Sequence, residues 1–285
     1  HPVAHSFPTR RSSDLDVSFP WLYGGTGHAF IISLDPGVDV SSPDSWDHQP
    51  QYDLGCNLGY DIDGFGLWGS DVSEETFAEK QREAWDFVRA NIDRGVPCFG
   101  FELKKYYGGY WVIYGYENDG EDAGGYYYSG WEEGGPLPWN QLGELFIPNL
   151  EVRSVKLCDP APDVKTVADG IAFALHHTQN TPALIDDGAR SGPAAWAYWA
   201  EALETGEAKR DHHTYNLQLW LERREMAVEF LREANARLPG RCDALFDKAA
   251  EAYALVCEKL CALRELHPER DEPNWGPDST FTSVE

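Results

Sequence analysis

The feature that most constrains this chain is a switch in hydrophobic period at Asp159-Pro160-Ala161-Pro162. Upstream, short runs rich in Tyr, Trp, Val and Ile alternate with punctuation rich in Gly and Asp, the pattern of strands and turns. Downstream, apolar residues recur at three- and four-residue spacing over long stretches, the pattern of amphipathic helices. Each pattern needs its own packing partner, so the switch predicts an α+β layer over 16–158 followed by an α-helical bundle over 159–285. With 285 residues, 42% of them hydrophobic, there is apolar material for two such cores.

Within the first half, Gly27 to Leu34 is apolar and β-branched and stops at the turn signal Asp35-Pro36-Gly37, which predicts a strand. Residues 35–72 lack periodicity and read as a long covering loop. Asp71 and Glu74 have capping-box spacing, and Phe77, Ala84, Trp85, Val88 and Ile92 share one helical face before Gly95. Four strand-like runs follow, Val96–Leu103, Tyr110–Tyr116, Gly125–Ser129 and Leu150–Leu157, which implies a largely antiparallel sheet against that helix. Past the switch, helices are expected over 163–180, Pro193–Thr205, Thr214–Leu238 and Arg241–Leu266. Leu217, Trp220, Leu221, Ala227, Val228 and Leu231 form the apolar face of the third, and Leu245, Ala249, Tyr253, Val256, Leu260 and Leu263 that of the fourth.

A net charge of −25 would repel phosphate backbones and anionic membranes, so neither nucleic acid nor membrane is an expected partner. No apolar run reaches the roughly 18 residues of a membrane span. Cys56, Cys98, Cys158, Cys242, Cys257 and Cys261 form no C-x-x-C pair, which excludes a zinc or dense disulfide framework and makes reduced, cytoplasmic thiols the expectation. Cys98 lies within an apolar strand, where a thiol is inert, and Cys56 lies in an acidic loop that disfavours a thiolate. Residues 7–15 have neither strand nor helix periodicity and resemble a translated sequencing adapter; 1–15 are expected to be a non-native tail packed against nothing specific, with the natural N-terminus missing.

Among motifs, Gly64-Phe65-Gly66-Leu67-Trp68-Gly69 matches the dinucleotide fingerprint in letters, yet lacks the strand, helix and acidic residue that the fingerprint needs. His176-His177 and His212-His213 lack the Glu-x-x-His spacing of a bundle metal site; they read as helix-end histidines, with Asp211 a natural N-cap, and neither metal nor cofactor is expected. Gly24-Gly25-Thr26-Gly27-His28 is the more suggestive run. Its glycines tolerate positive φ and let a group approach the backbone closely, and His28 could orient or deprotonate a nucleophile or serve as a satisfied structural histidine.

Three stretches carry a family resemblance: Gly95-Val96-Pro97-Cys98, then Gly108-Gly109-Tyr110-Trp111-Val112-Ile113-Tyr114-Gly115-Tyr116, then Gly125-Tyr126-Tyr127-Tyr128-Ser129. Together they resemble the second half of papain-like cysteine peptidases and acyltransferases, the leader-peptidase branch and the N-terminal domain type of butirosin biosynthesis protein H in particular. Trp21 through Phe30 is similar to the stretch after the nucleophile helix of the butirosin type, and Ser191–Trp196 with Tyr215–Trp220 to its helical companion. The resemblance implies a papain-like fold and cysteine-dependent acyl transfer or peptide hydrolysis in bacterial secondary metabolism, on a small-molecule, peptide or carrier-bound acyl substrate. It implies a nucleophile upstream of Asp16, hence an inactive chain as given. Tyr110 stands where that family has its catalytic histidine, and Ser129 or Gly130 where it has the orienting Asp or Asn. Tyrosine, with an ordinary pKa near ~10, is a poor base at neutral pH. His28 is therefore the candidate catalytic residue, and Trp21, Tyr23, Gly25, Gly27, Tyr110, Trp111 and Trp131 the candidate substrate-binding ones. The alternative is a non-catalytic binding module whose cleft is lined by Trp21, Tyr23, Trp111 and Trp131.

Overall fold

A computed structural model describes residues 3–6, 17–68, 72–101, 103, 109–118, 123–130, 133–144, 149–179 and 188–268. In chain order its elements are β1 (Val3–Ser6), α1 (Phe19–Gly25), β2 (Ser33–Leu34), α2 (Gln49–Leu54), β3 (Tyr60–Trp68), α3 (Glu74–Ile92), β4 (Cys98–Phe101) and β5 (Tyr110–Asn118). There follow β6 (Gly124–Ser129), β7 (Glu133–Pro138), β8 (Asn149–Leu157), α4 (Asp163–His177), β9 (Arg190–Ser191), α5 (Gly192–Thr205), α6 (Arg210–Arg237) and α7 (Asp243–Leu266). The chain is mixed α+β with antiparallel sheets. It divides into two units, one of 1–15 with 60–158 and one of 16–59 with 159–285.

The first unit is a sheet in the order β3-β8-β4-β5-β6-β7, every pairing antiparallel. Helix α3 starts at Ser73, whose hydroxyl accepts from the Thr76 amide at 3.1 Å; Ser73, rather than Asp71, is the cap. Its Ala84, Trp85, Val88 and Ile92 face a core with Cys98, Trp111, Ile113, Tyr126 and Val152. The expected loop over 35–72 is corrected by β3, in which the Gly-Phe-Gly run pairs in register with β8. Gly64 sits at φ +145°, and a Cβ there would lie 2.2 Å from the Val152 carbonyl, so the glycine serves a close strand crossing and not a phosphate. Strand β7 was hidden by its Gly and Pro content, which only a sheet edge tolerates. The tail expectation is also corrected, because Val3–Ser6 pair antiparallel with Asn118–Gly115. Strand β4 pairs with β5 only as far as Ile113, and β1 takes the same edge beyond it, from Gly115 to Asn118. Phe7 and Leu15 lie outside the described residues.

The second unit is helical and contains the segment 16–59, expected with the sheet; the boundary near 159 therefore separates the sheet from the helices only on its C-terminal side. The physical reason is the apolar run after His28: Ile32, Leu34 and Val38 are buried with Ala195, Trp199, Leu217, Trp220 and Leu260 of the helices. That run is not the expected strand over Gly27–Leu34. Only Ser33 and Leu34 form one, paired with Ser191 and Arg190, and the chain upstream turns. The Ala29 and Ile31 carbonyls, which a strand would offer to a neighbour, instead accept from the two terminal nitrogens of Arg224 at 2.6 and 2.7 Å. On α6 the whole expected face, Leu217 to Leu231, is buried. On α7 the face is displaced, with Phe246, Ala250 and Leu260 buried and Leu245 68% exposed.

Candidate functional site

The glycine-rich run ends helix α1, capped at its start by the Ser18 hydroxyl, which accepts from the Trp21 amide at 3.1 Å. What approaches these glycines is the protein itself. A Cβ on Gly24 would lie 1.9 Å from the Phe230 ring, one on Gly25 2.8 Å from Leu58 and Thr166, and one on Gly27 2.7 Å from the Gly170 carbonyl. Gly25 and Gly27 therefore seat α1 against its neighbours, which corrects their substrate-binding assignment; close packing needs the missing Cβ as much as a ligand would. Trp21 is likewise buried, packed on Phe230 with the Arg237 guanidinium 3.9 Å from its ring centre.

The other assigned residues separate as sharply. Trp111 is 1% exposed and meets Tyr128 edge-on inside the sheet core, so it cannot line a cleft. Tyr110 is exposed on the sheet, its ring against Phe99 and Phe101 and its hydroxyl donating to Glu151 at 3.2 Å. Trp131 lies outside the described residues. Cys98 is buried and its thiol is pushed up to about 12 by that burial, while Cys56 is exposed.

His28 does belong to a constellation, built wholly within the helical unit. Its ring stacks on Tyr23 at 5.2 Å and 10°, and its centre lies 6.1 Å from that of Trp46. Trp46 is the hub: His48 is 4.3 Å away, His177 meets it edge-on at 5.3 Å, and Phe173 lies at 6.0 Å. The Trp46 indole is fixed by donation to the Pro43 carbonyl at 2.8 Å. The loop that carries it is tied to α6, where the Asn216 amide donates to the Val38 and Asp39 carbonyls at 3.2 and 2.8 Å and His212 lies 3.2 Å from Asp39. His212 and His213 sit in the first turn of α6 behind Lys209, so Lys209 and not Asp211 occupies the cap position.

The electrostatics are set by burial and by Arg223. Burial first, then the positive charge of Arg223, hold His28 well below the usual imidazole range. The same causes in the same order bring His177 down to about 4. Arg223 itself is lowered to about 10 by burial and stays cationic at neutral pH. Asp44 opposes that shift, and Tyr23 and Tyr215 also lie within its electrostatic reach. The groups are graded in exposure, from exposed Asp44 and Tyr215 through part-exposed Tyr23, His28 and His48 to buried Trp46, Arg223 and His177. Among the described residues, His177, 0% exposed, has a hydrogen-bond partner for neither ring nitrogen, and Arg223, 7% exposed, has none for its Nη1.

The sequence reading missed Trp46, His48, Asp44, Tyr215 and Arg223. One signal was available for the last, since Arg223-Arg224 interrupts the apolar face of α6 between Leu221 and Ala227. Among the described residues no group of three or more His, Cys, Asp or Glu is arranged to hold a metal ion, and no helix is long and apolar enough to cross a membrane. No family model, curated protein or solved structure matches the chain.

Proposed function

We propose that this chain is a non-catalytic binding protein that takes a small molecule among Trp46, His28, His177 and Arg223. The observation that carries the proposal is the pair of buried, unsatisfied donors, His177 and Arg223 Nη1, beside an aromatic hub that grades outward to exposed side chains. Buried polar groups are almost always hydrogen-bonded, and those that are not mark a place for a ligand or water. The finer fold assignment, a papain-like arrangement of α3 with the strands that follow it, belongs to the same proposal, as does a setting in bacterial secondary metabolism; both rest on motif resemblance.

The competing activity is acyl transfer through cysteine with His28 as base. A Cys–His pair must form an imidazolium beside a thiolate. Burial and the Arg223 charge both oppose an imidazolium at His28, which favours the binding reading. Iodoacetamide alkylation followed across pH tests whether any cysteine of this chain works with His28. Under the binding reading none of the exposed thiols, Cys56, Cys158 and Cys242, is alkylated selectively near neutral pH, and their rates ignore His28→Ala. A fast thiol at neutral pH, slowed by His28→Ala, would instead establish the acyl-transfer reading.

A further inference from the structure

Arg223 and Arg224 are consecutive on α6 and both buried, yet they are used differently. Arg224 spends its fork on two backbone carbonyls, those of Ala29 and Ile31. Arg223 lies over the Trp220 ring at 4.3 Å, which accounts for its packing, while its Nη1 is left without a partner. Asp44 acts on Arg223 through space, but its side chain is 56% exposed and it does not take Nη1. A guanidinium withdrawn from water with an open donor is strongly unfavourable unless an anion or strong acceptor meets it. Close by, His177 is neutral near pH 7 and brings one N–H donor and one bare acceptor nitrogen, both unused.

We infer that the ligand bound at this site is a ring-bearing monoanion, a carboxylate whose oxygens meet Arg223 Nη1 and the His177 N–H while its flat body lies against Trp46 and the His28–Tyr23 stack. The inference rests on the binding reading above and adds the chemistry of the ligand. A guanidinium and a carboxylate match in charge and in planar geometry. Among the described residues the site's open donor on a cation is Arg223 Nη1, and Asp44 already offsets part of that charge, so the site suits one carboxylate rather than a dianion.

The test is a titration of histidine-labelled full-length protein, reading the imidazole resonances of His177 and His28 by NMR, with benzoate, phenyl phosphate, benzamide and benzylamine as probes. The expected result is saturable shifts with benzoate, binding about tenfold or more tighter than the neutral and cationic rings, as the loss of one charge-assisted hydrogen bond implies. Arg223→Gln should abolish that preference and Arg223→Lys should retain part of it. Equal binding of all four probes would overturn the anion inference and leave the binding site standing. Tighter binding of phenyl phosphate would overturn the monoanion assignment, and a benzoate preference that survives in Arg223→Gln would overturn the role of Arg223. No shift with any probe would overturn both the inference and the binding reading, leaving buried water as the partner of these donors. If Arg223→Gln does not fold, the probe series on the unaltered protein still decides.

Discussion

Replacing Arg224 by Met should destabilise the helical unit by about 3 kcal/mol. The side chain is almost fully buried, its two terminal nitrogens donate to the Ala29 and Ile31 carbonyls at 2.6 and 2.7 Å, and Trp196, Trp220 and Tyr253 rings lie within 6 Å or less of the guanidinium. A hydrogen bond to a charged group contributes about 1.5–3 kcal/mol, so the pair contributes roughly 3–6. Against this, a buried guanidinium is expensive to desolvate, and that cost vanishes in the variant. Met fills similar space with an unbranched chain, so no large cavity adds to the loss. What remains is two buried carbonyls with no donor, which places the net near the lower end. At a urea slope of about 2 kcal/mol/M the midpoint should fall by roughly 1.5 M. Urea unfolding followed by far-UV circular dichroism reads this directly, because the helices dominate that signal. Arg224→Lys, able to reach one carbonyl, should lose about half as much. A loss below about 1 kcal/mol for Arg224→Met would refute the reasoning, for it would mean that desolvation cancels the fork or that water serves those carbonyls equally well.

Gly24→Ala should cost about 1–3 kcal/mol or more by overpacking, because the new methyl would stand 1.9 Å from the Phe230 ring; a thermal midpoint unchanged from the parent would reject the close approach of α1 and α6. Stability should also fall in mild acid. His177 is held near 4 and His213 near 3 in the folded protein, against an ordinary imidazole value of 6.5, so the unfolded chain takes up protons first. Their contribution is complete above about pH 6.5 and is lost as pH falls toward the folded values, by up to about 1.4 kcal/mol per pH unit for each group. Urea midpoints measured from pH 7 to 5 should decline accordingly, and less steeply in His177→Asn.

Much of the scaffold was legible because its signals are local. The apolar face of α6 follows from spacing along one helix, and Leu217, Trp220, Leu221, Ala227, Val228 and Leu231 are all buried as that spacing requires. Helix α3 and strands β5, β6 and β8 likewise fall within a few residues of where their patterns put them. Only tertiary structure decided the fate of Gly27–Leu34, whose β-branched run asks for a partner without saying which. The partner is a guanidinium 193 residues on from Ile31, not a strand. The site was hidden for the same reason. His28, Trp46, His177 and Arg223 come from four separate stretches, and nothing local tells a histidine whether its nitrogens will find water, a carbonyl or nothing. Periodicity reports which face of an element is buried; which polar atoms remain unsatisfied after burial depends on what the rest of the chain brings to that face.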